Sequence, residues 1–190
     1  MKETRIWRCI FFAILMILSI SLWPQMSYAA DSSNTVRSNE SVMLSYSTHI
    51  QRQGWSTNKY NGERAGTVGS CLRLEALKIN AYNIREYTGD VLYRSHVQTY
   101  GWEEEWRKDG EISGTEGEAK RLEAVQIKLT GELAEKYDVY YRVHVQTFGW
   151  LDWASNGVAA RSEGYSKRLE AIEIVFVDKG DKSPREHAYS

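Results

Sequence analysis

The sequence predicts an all-β fold: one pseudo-threefold repeat domain of about twelve short strands, arranged like a β-prism or, as the alternative, a β-trefoil. Two observations carry this prediction. A segment of about 36 residues occurs three times at a spacing of 47 to 48 residues. Within each copy, apolar and polar residues alternate with the period of two that is typical of β-strands.

The first 29 residues are not expected to belong to this fold. Three basic residues precede an apolar stretch, Ile10 to Leu22, whose 13 residues are too few to span a bilayer comfortably. Ser27-Tyr28-Ala29 fits a small-x-small cleavage rule, so we predict a signal peptide over 1–29. A retained N-terminal anchor is the alternative. With cleavage, we expect a secreted or cell-surface-associated protein without a membrane span.

The remaining chain has the length of one domain. We expect a flexible leader over 30–42, a single repeat domain over 43–177 and a flexible tail over 178–190. The repeats are predicted at about 44–80, 91–129 and 139–177. Removing residues 1–29 takes away three basic residues and one acidic residue and leaves a net charge of −3. Without a clustered basic face, no nucleic-acid partner is expected.

Copy three illustrates the first strand of each repeat. One face carries Tyr141, Val143 and Val145, and the other carries Arg142, His144, Gln146, Phe148 and Trp150. A second segment, 150–155, leads to Asn156-Gly157, a pair that favours a tight turn with positive φ. A short third strand is predicted over 158–161.

The alternation of apolar residues changes phase within the fourth segment, 168–177. Leu169 and Ala171 lie on one parity, whereas Ile172, Ile174 and Phe176 lie on the other. A change of parity inside a strand indicates a β-bulge. The linkers 80–92 and 130–140 are predicted to connect the copies, and 131–138 favours one helical turn.

The repeated tryptophans allow two interpretations. Burying an indole removes ~150–250 Å² from water and stabilises the fold by roughly 4–6 kcal/mol, which favours a core position. This applies to the set that follows Gly in every copy: Trp55, Trp102 and Trp150. A second set, Trp106 and Trp153, is replaced by Asn58 in copy one, so it is the better candidate for ligand contact. Both sets are candidate ligand-binding residues, because an exposed indole stacks on a sugar ring.

Histidine and glutamine share the strand face that leads to each Gly-Trp pair. Their side chains donate and accept hydrogen bonds to hydroxyl groups, so they are further candidate ligand-binding residues. They are His49, His96, His144, Gln51, Gln98 and Gln146. The alternative is that they satisfy backbone groups near the turn. A three-histidine metal site would need all three rings to face inward, so we predict no metal site.

Each copy also carries an Arg-Leu-Glu triplet, which is expected to form ion pairs within the triplet or with a neighbouring strand. The carboxylates are Glu75, Glu123 and Glu170. Three equivalent glutamates do not supply the two distinct carboxyl groups that a glycosidase needs. The chain has no Gly-rich phosphate loop or nucleophile elbow, so we expect neither enzymatic activity nor a cofactor. Cys71, alone after signal cleavage, is interpreted as a small loop residue.

These motifs resemble a known family. The pattern Y-x-x-H-V-Q-x-x-G-W, then W, D/N-G, G-T-x-G and R-L-E-A-[VIL]-x-I, is similar to the ChW repeat, the clostridial hydrophobic repeat with a Trp. Copy two matches in full, with Gly114-Thr115-Glu116-Gly117 and Arg121-Leu122-Glu123-Ala124. Copy one lacks the second Trp, and copy three has Arg161-Ser162 in place of Gly-Thr. The resemblance implies a secreted or surface protein of clostridia-like Gram-positive bacteria that binds polysaccharide or another protein.

The expected function is therefore a non-catalytic binding module. Polysaccharide is the favoured ligand, because aromatic, histidine and amide groups recur on one strand face. The alternative is protein–protein adhesion at the bacterial surface through the same aromatic residues.

Overall fold

The computed structural model describes residues 42–82, 87–162 and 164–184, which belong to one compact unit. The predicted signal peptide, and the predicted leader up to residue 41, lie outside the described residues. Within the described ranges, no helix is long and apolar enough to cross a bilayer.

The described residues form three antiparallel sheets and one short helix, so the all-β, prism-like prediction is confirmed. Copy one contributes five strands: β1 (Met43–Ile50), β2 (Gly54–Trp55), β3 (Lys59–Tyr60), β4 (Ala65–Gly66) and β5 (Leu74–Tyr82). Copy two contributes four: β6 (Val91–Val97), β7 (Gly101–Trp102), β8 (Ser113–Gly114) and β9 (Leu122–Leu129). The helix α1 (Gly131–Lys136) follows. Copy three contributes five: β10 (Tyr137–Val145), β11 (Gly149–Trp150), β12 (Ala154–Ser155), β13 (Ala160–Arg161) and β14 (Leu169–Asp178).

Each sheet is built on the two long strands of one copy, which pair as β1–β5, β6–β9 and β10–β14. Val145 of β10 lies opposite Leu169 of β14, and His144 lies opposite Ala171, so Glu170 is the additional residue of a β-bulge in β14. The same shift occurs at Glu75 and Glu123. The predicted bulge is confirmed. It lets Leu169 and Ile172, which are an odd number of positions apart, both point into the core.

One two-residue strand of each copy pairs with a long strand of a neighbouring copy. Strand β8 of copy two pairs with β5 of copy one, β13 of copy three with β9 of copy two, and β4 of copy one with β14 of copy three. Each copy therefore lends a strand to its neighbour, and the third exchange closes the ring. Three sheets joined by this cyclic exchange fit the prism-like arrangement.

The Asp-Gly pair of copy two and the Asn-Gly pair of copy three make tight turns with positive φ at both residues, as predicted, whereas in copy one only Gly62 has a positive φ. In copy three, Asn156 and Gly157 have φ values of 47° and 91°, and Val158 donates a backbone hydrogen bond to Ser155 across 2.9 Å. The strand after the turn pairs with the neighbouring copy instead of completing a hairpin within its own copy. Gly157 N–H donates to the carbonyl of Ile127 in copy two at 2.7 Å, so the turn itself is part of the exchange.

The core lies between the three sheets. The predicted inward face of copy three is confirmed, since Tyr141, Val143 and Val145 are fully buried. The phenol of Tyr141 donates to the carbonyl of Val158 at 2.5 Å. Tyr46 and Tyr93 are buried in the same way in the other copies, and their hydroxyl groups bond to the carbonyls that follow their own turns.

Regular structure extends into the predicted linkers and past the predicted end of copy three. Strand β5 runs to Tyr82 and β10 starts at Tyr137, so parts of both linkers are strand, whereas the predicted helical turn is present as α1. At the other end, Lys179 Nζ lies 2.7 Å from Asp138 Oδ1, and Gly180 N–H donates to the other carboxylate oxygen at 2.9 Å.

Candidate functional site

The first tryptophan of each copy lies directly opposite the histidine, because β2, β7 and β11 pair back onto the first strand of their copy. Residues opposite each other in an antiparallel pair share a face of the sheet. Each indole contacts its imidazole edge-on with 5.5 Å between ring centroids: His49–Trp55, His96–Trp102 and His144–Trp150.

The bulged glutamate connects this histidine to the arginine of the triplet. In copy one, His49 Nδ1 lies 3.0 Å from Glu75 Oε2, and Arg73 Nη2 donates to Glu75 Oε1 at 2.6 Å. The corresponding distances are 3.2 and 2.6 Å in copy two, and 3.2 and 2.8 Å in copy three. The carboxylates are almost completely buried, and a buried charge requires such partners. The predicted ion pairs are confirmed as pairs within each triplet.

These contacts account for the three histidines. Each ring faces the glutamate of its own copy rather than a common centre. Among the residues that the structure describes, no group of three His, Cys, Asp or Glu side chains is placed to hold a metal ion.

A cation lies over the indole in every copy. In copy three, the guanidinium carbon of Arg142 is 4.9 Å from the centroid of Trp150 and 4.8 Å from that of Trp153. Arg94 takes the same place in copy two, at 5.3 Å from Trp102 and 4.7 Å from Trp106. The two tryptophan sets are thus brought together around one arginine. We call the indoles, the histidine and the cation of each copy its outer ledge.

Copy one builds its outer ledge differently. Ser47 replaces the arginine, and the second tryptophan is absent. Lys78, which lies opposite Ser47 in the register of β1 and β5, places its ammonium 4.0 Å from the centroid of Trp55. The cation therefore moves to the opposite strand and keeps its contact with the indole. The sequence-based predictions missed these cations. One repeat position carries Arg94 and Arg142 in copies two and three and Ser47 in copy one, and this pattern could have indicated the two arginines.

None of the five ledge tryptophans is buried with the core, and all are half-buried on the sheet faces that carry His and Arg. This corrects the expectation that the first set belongs to the core. The inward positions are filled by Tyr, Val, Leu and Ile, which leaves the face opposite the core for the indoles. Trp55 also contacts the next copy, since its Nε1 donates to Glu116 Oε1 at 2.5 Å.

The three glutamines do not lie with the tryptophans. They line a cavity of about 420 Å³ together with the three triplet arginines: Gln51, Gln98, Gln146, Arg73, Arg121 and Arg168. Residues of three equivalent copies meet only around the pseudo-threefold axis, so we call this the axial cavity. The sequence grouped Gln with His because they alternate on one strand face. In the structure the strand ends before Gln, whose N–H bonds the carbonyl of the arginine.

Aromatic residues are exposed on the turns beside this cavity. Two residues after Gln98, Tyr100 is 62% exposed, and its phenol donates to Glu118 at 2.6 Å, which raises the pKa of Tyr100. In copy three, Phe148 and Tyr165 form an edge-to-face pair with 5.6 Å between centroids.

Each of the three copies matches the same family. Residues 49–83, 96–131 and 144–178 each match the family model described as clostridial hydrophobic W, and together they make up more than half of the chain. The comparisons with curated proteins and with solved structures found no match.

Proposed function

Because the chain belongs to the clostridial hydrophobic W family, we propose that it is a non-catalytic surface binding module that recognises polysaccharide through its outer ledges. The observation that carries this proposal is the cluster of two indoles around one arginine in copies two and three. It combines an apolar aromatic surface with directional N–H donors, which is the chemistry that a saccharide requires.

Copies two and three have the same ledge components, but the arginine of copy two also uses its Nη1 group, on the carbonyl of Glu103. Arg142 uses its Nε on Glu173 at 2.8 Å, and no partner of its two Nη groups is found in the described part of the chain. These groups are donors for sugar hydroxyls beside Trp150 and Trp153. Each buried glutamate already holds an arginine and a histidine, an arrangement that supports binding rather than bond cleavage.

The number of ledges supports recognition of a polymer rather than a single sugar. A site of this kind is expected to bind one sugar with millimolar affinity, about −4 kcal/mol. Several ledges that engage one chain raise the overall affinity through effective concentration. Copy one, which has one indole and a lysine, is expected to be the weakest site.

Retention on immobilised bacterial-surface and plant polysaccharides tests the proposal. Replacing Trp106 and Trp153 by Asn, the residue that copy one carries at this position, should reduce retention by about 10-fold or more, since each lost aromatic contact is worth roughly 1 kcal/mol. Tyr165→Ala, outside the ledges, is the matched control. Unchanged retention of the double variant on every glycan that binds the parent protein would exclude the ledges as the site.

The second candidate function is protein–protein adhesion. It is favoured by the Phe148–Tyr165 pair, whose rings are 51% and 69% exposed. Aromatic residues are enriched in protein interfaces. Absence of glycan binding, together with capture of a surface protein that Tyr165→Ala abolishes, would support this function instead.

The location outside the cell is part of the same proposal. The basic, apolar and small-residue order of 1–29 is the supporting observation. Expression of the full chain in a Gram-positive host and N-terminal sequencing of the protein in the medium should find Ala30 as the first residue. Recovery of the uncleaved chain from the membrane fraction would favour the anchor.

A further inference from the structure

We propose that the axial cavity is a second binding site, which takes a phosphate or sulfate ester carried by a small ring such as a sugar. This site is distinct from the outer ledges and does not depend on their proposed function. Its three arginines and three glutamines come from all three copies.

The charge of the cavity lining favours an anion. Four of its ten lining residues are arginine, three are glutamine and none carries a carboxylate. Arg52, the fourth arginine, is exposed and belongs to copy one alone. A concave site lined by one sign of charge concentrates ligands of the opposite sign.

The triplet arginines retain free donors. Arg73 directs Nε and Nη2 at Glu75, at 2.9 and 2.6 Å. In the described part of the chain, its Nη1 group has no partner, and the same holds for Arg121 and Arg168. The ion pairs with buried glutamates fix the orientation of all three guanidinium groups. A ligand therefore meets donors that are already positioned rather than mobile side chains, which lowers the entropic cost of binding.

The symmetry of the lining selects a tetrahedral oxyanion. A phosphate or sulfate ester has three equivalent oxygens around the axis of its ester bond, and arginine binds such oxygens strongly. Three arginines related by a pseudo-threefold axis offer one donor group to each oxygen, whereas a planar carboxylate has only two oxygens. The fourth, ester oxygen is then left to carry the ring.

The size of the cavity indicates that the anion carries a ring. A volume of about 420 Å³ lies within the range of small-molecule sites and greatly exceeds that of a bare oxyanion. Amide groups of Gln51, Gln98 and Gln146 supply both donors and acceptors for ring hydroxyls.

Calorimetric titration of the signal-free chain with glucose 1-phosphate, glucose 6-sulfate, inorganic phosphate and glucose tests the proposal. We expect a submillimolar Kd for at least one ester, and the better ester identifies the anion. That ester should bind at least about 10-fold more tightly than inorganic phosphate, a difference of about 1.4 kcal/mol. Equal affinity for the ester and the inorganic ion would refute the ring. The absence of binding by all anions at about 10 mM would refute the site.

The variant Gln98→Glu tests whether the ester binds in the axial cavity. The new carboxylate would pair with a cavity arginine and should weaken ester binding by about 10-fold or more without disturbing the arginine–glutamate pairs. Asn58→Asp makes the same chemical change at an exposed position away from the cavity and should leave the affinity within about 2-fold. Equal effects of the two variants would overturn the assignment. Retention of Gln98→Glu on neutral glycans should match that of the parent protein, so failure here is distinguishable from failure of the outer ledges.

Discussion

Closure of the ring depends on a glycine, and this dependence gives a quantitative prediction. Gly66 lies in β4, which pairs with β14 of copy three, and its φ is +108°. A Cβ at this position would lie 2.4 Å from the carbonyl oxygen of Glu170 and 2.7 Å from the Cα of Ala171. Both are backbone atoms, so they cannot move aside as a flexible side chain would. Gly66→Ala must therefore displace β4 from its neighbour.

The magnitude follows from two contributions. A non-glycine residue in the left-handed region costs about 1–2 kcal/mol. Displacement of β4 also weakens its two-residue ladder and the 2.9 Å hydrogen bond from Thr67 N–H to the carbonyl of Glu170, each worth about 1 kcal/mol. We expect a loss of about 3–4 kcal/mol in the free energy of unfolding, which lowers Tm by about 10 °C in a domain of this size.

Gly69→Ala is the matched control, because Gly69 has a φ of +79° and nothing within 4 Å of the position of its Cβ. It should lower the free energy of unfolding only by the backbone contribution, about 1 kcal/mol. Urea and thermal unfolding followed by tryptophan fluorescence measure both variants. Gly114→Ala, whose Cβ would lie 2.4 Å from the carbonyl oxygen of Glu75, should behave like Gly66→Ala. If Gly66→Ala destabilises no more than Gly69→Ala, the close approach of β4 to β14 does not hold the ring closed.

Two further predictions concern pH. Burial raises the pKa of Tyr93 and of Tyr141 to about 12, so the stability that these neutral phenols contribute is complete below pH ~10 and is lost as pH rises towards 12. Urea unfolding at pH 9 and pH 11 measures this loss of stability. Removing one phenol by Tyr141→Phe should make the decline between the two pH values shallower. The hydrogen bond from Lys179 lowers the pKa of Asp138, so its contribution is present above the ordinary carboxyl pKa and is lost in more acidic solution. Asp138→Asn should therefore lower Tm more at pH 7 than at pH 3, and an equal decrease at both pH values would contradict the role of this ion pair.

Local pattern determined much of the fold. The three copies, the inward face of Tyr141 and Val143, and the bulge at Glu170 follow from periodicity, because each depends on residues that are neighbours along one strand or its partner. The tight turn at Asn156-Gly157 follows from the conformations that these two residues adopt readily. Membership of the repeat family rests on the same local motifs.

Only the tertiary structure decided which copies exchange strands and where the polar groups meet. A strand of two residues such as β4 or β8 carries no side-chain pattern that selects one sheet edge over another, so its partner is set by ring closure. The same closure brings Gln98 together with its equivalents, which lie about 47 residues away along the chain, and separates it from His96, its near neighbour in sequence. Sequence fixes what each repeat can form, whereas contacts between repeats depend on geometry that no single repeat contains.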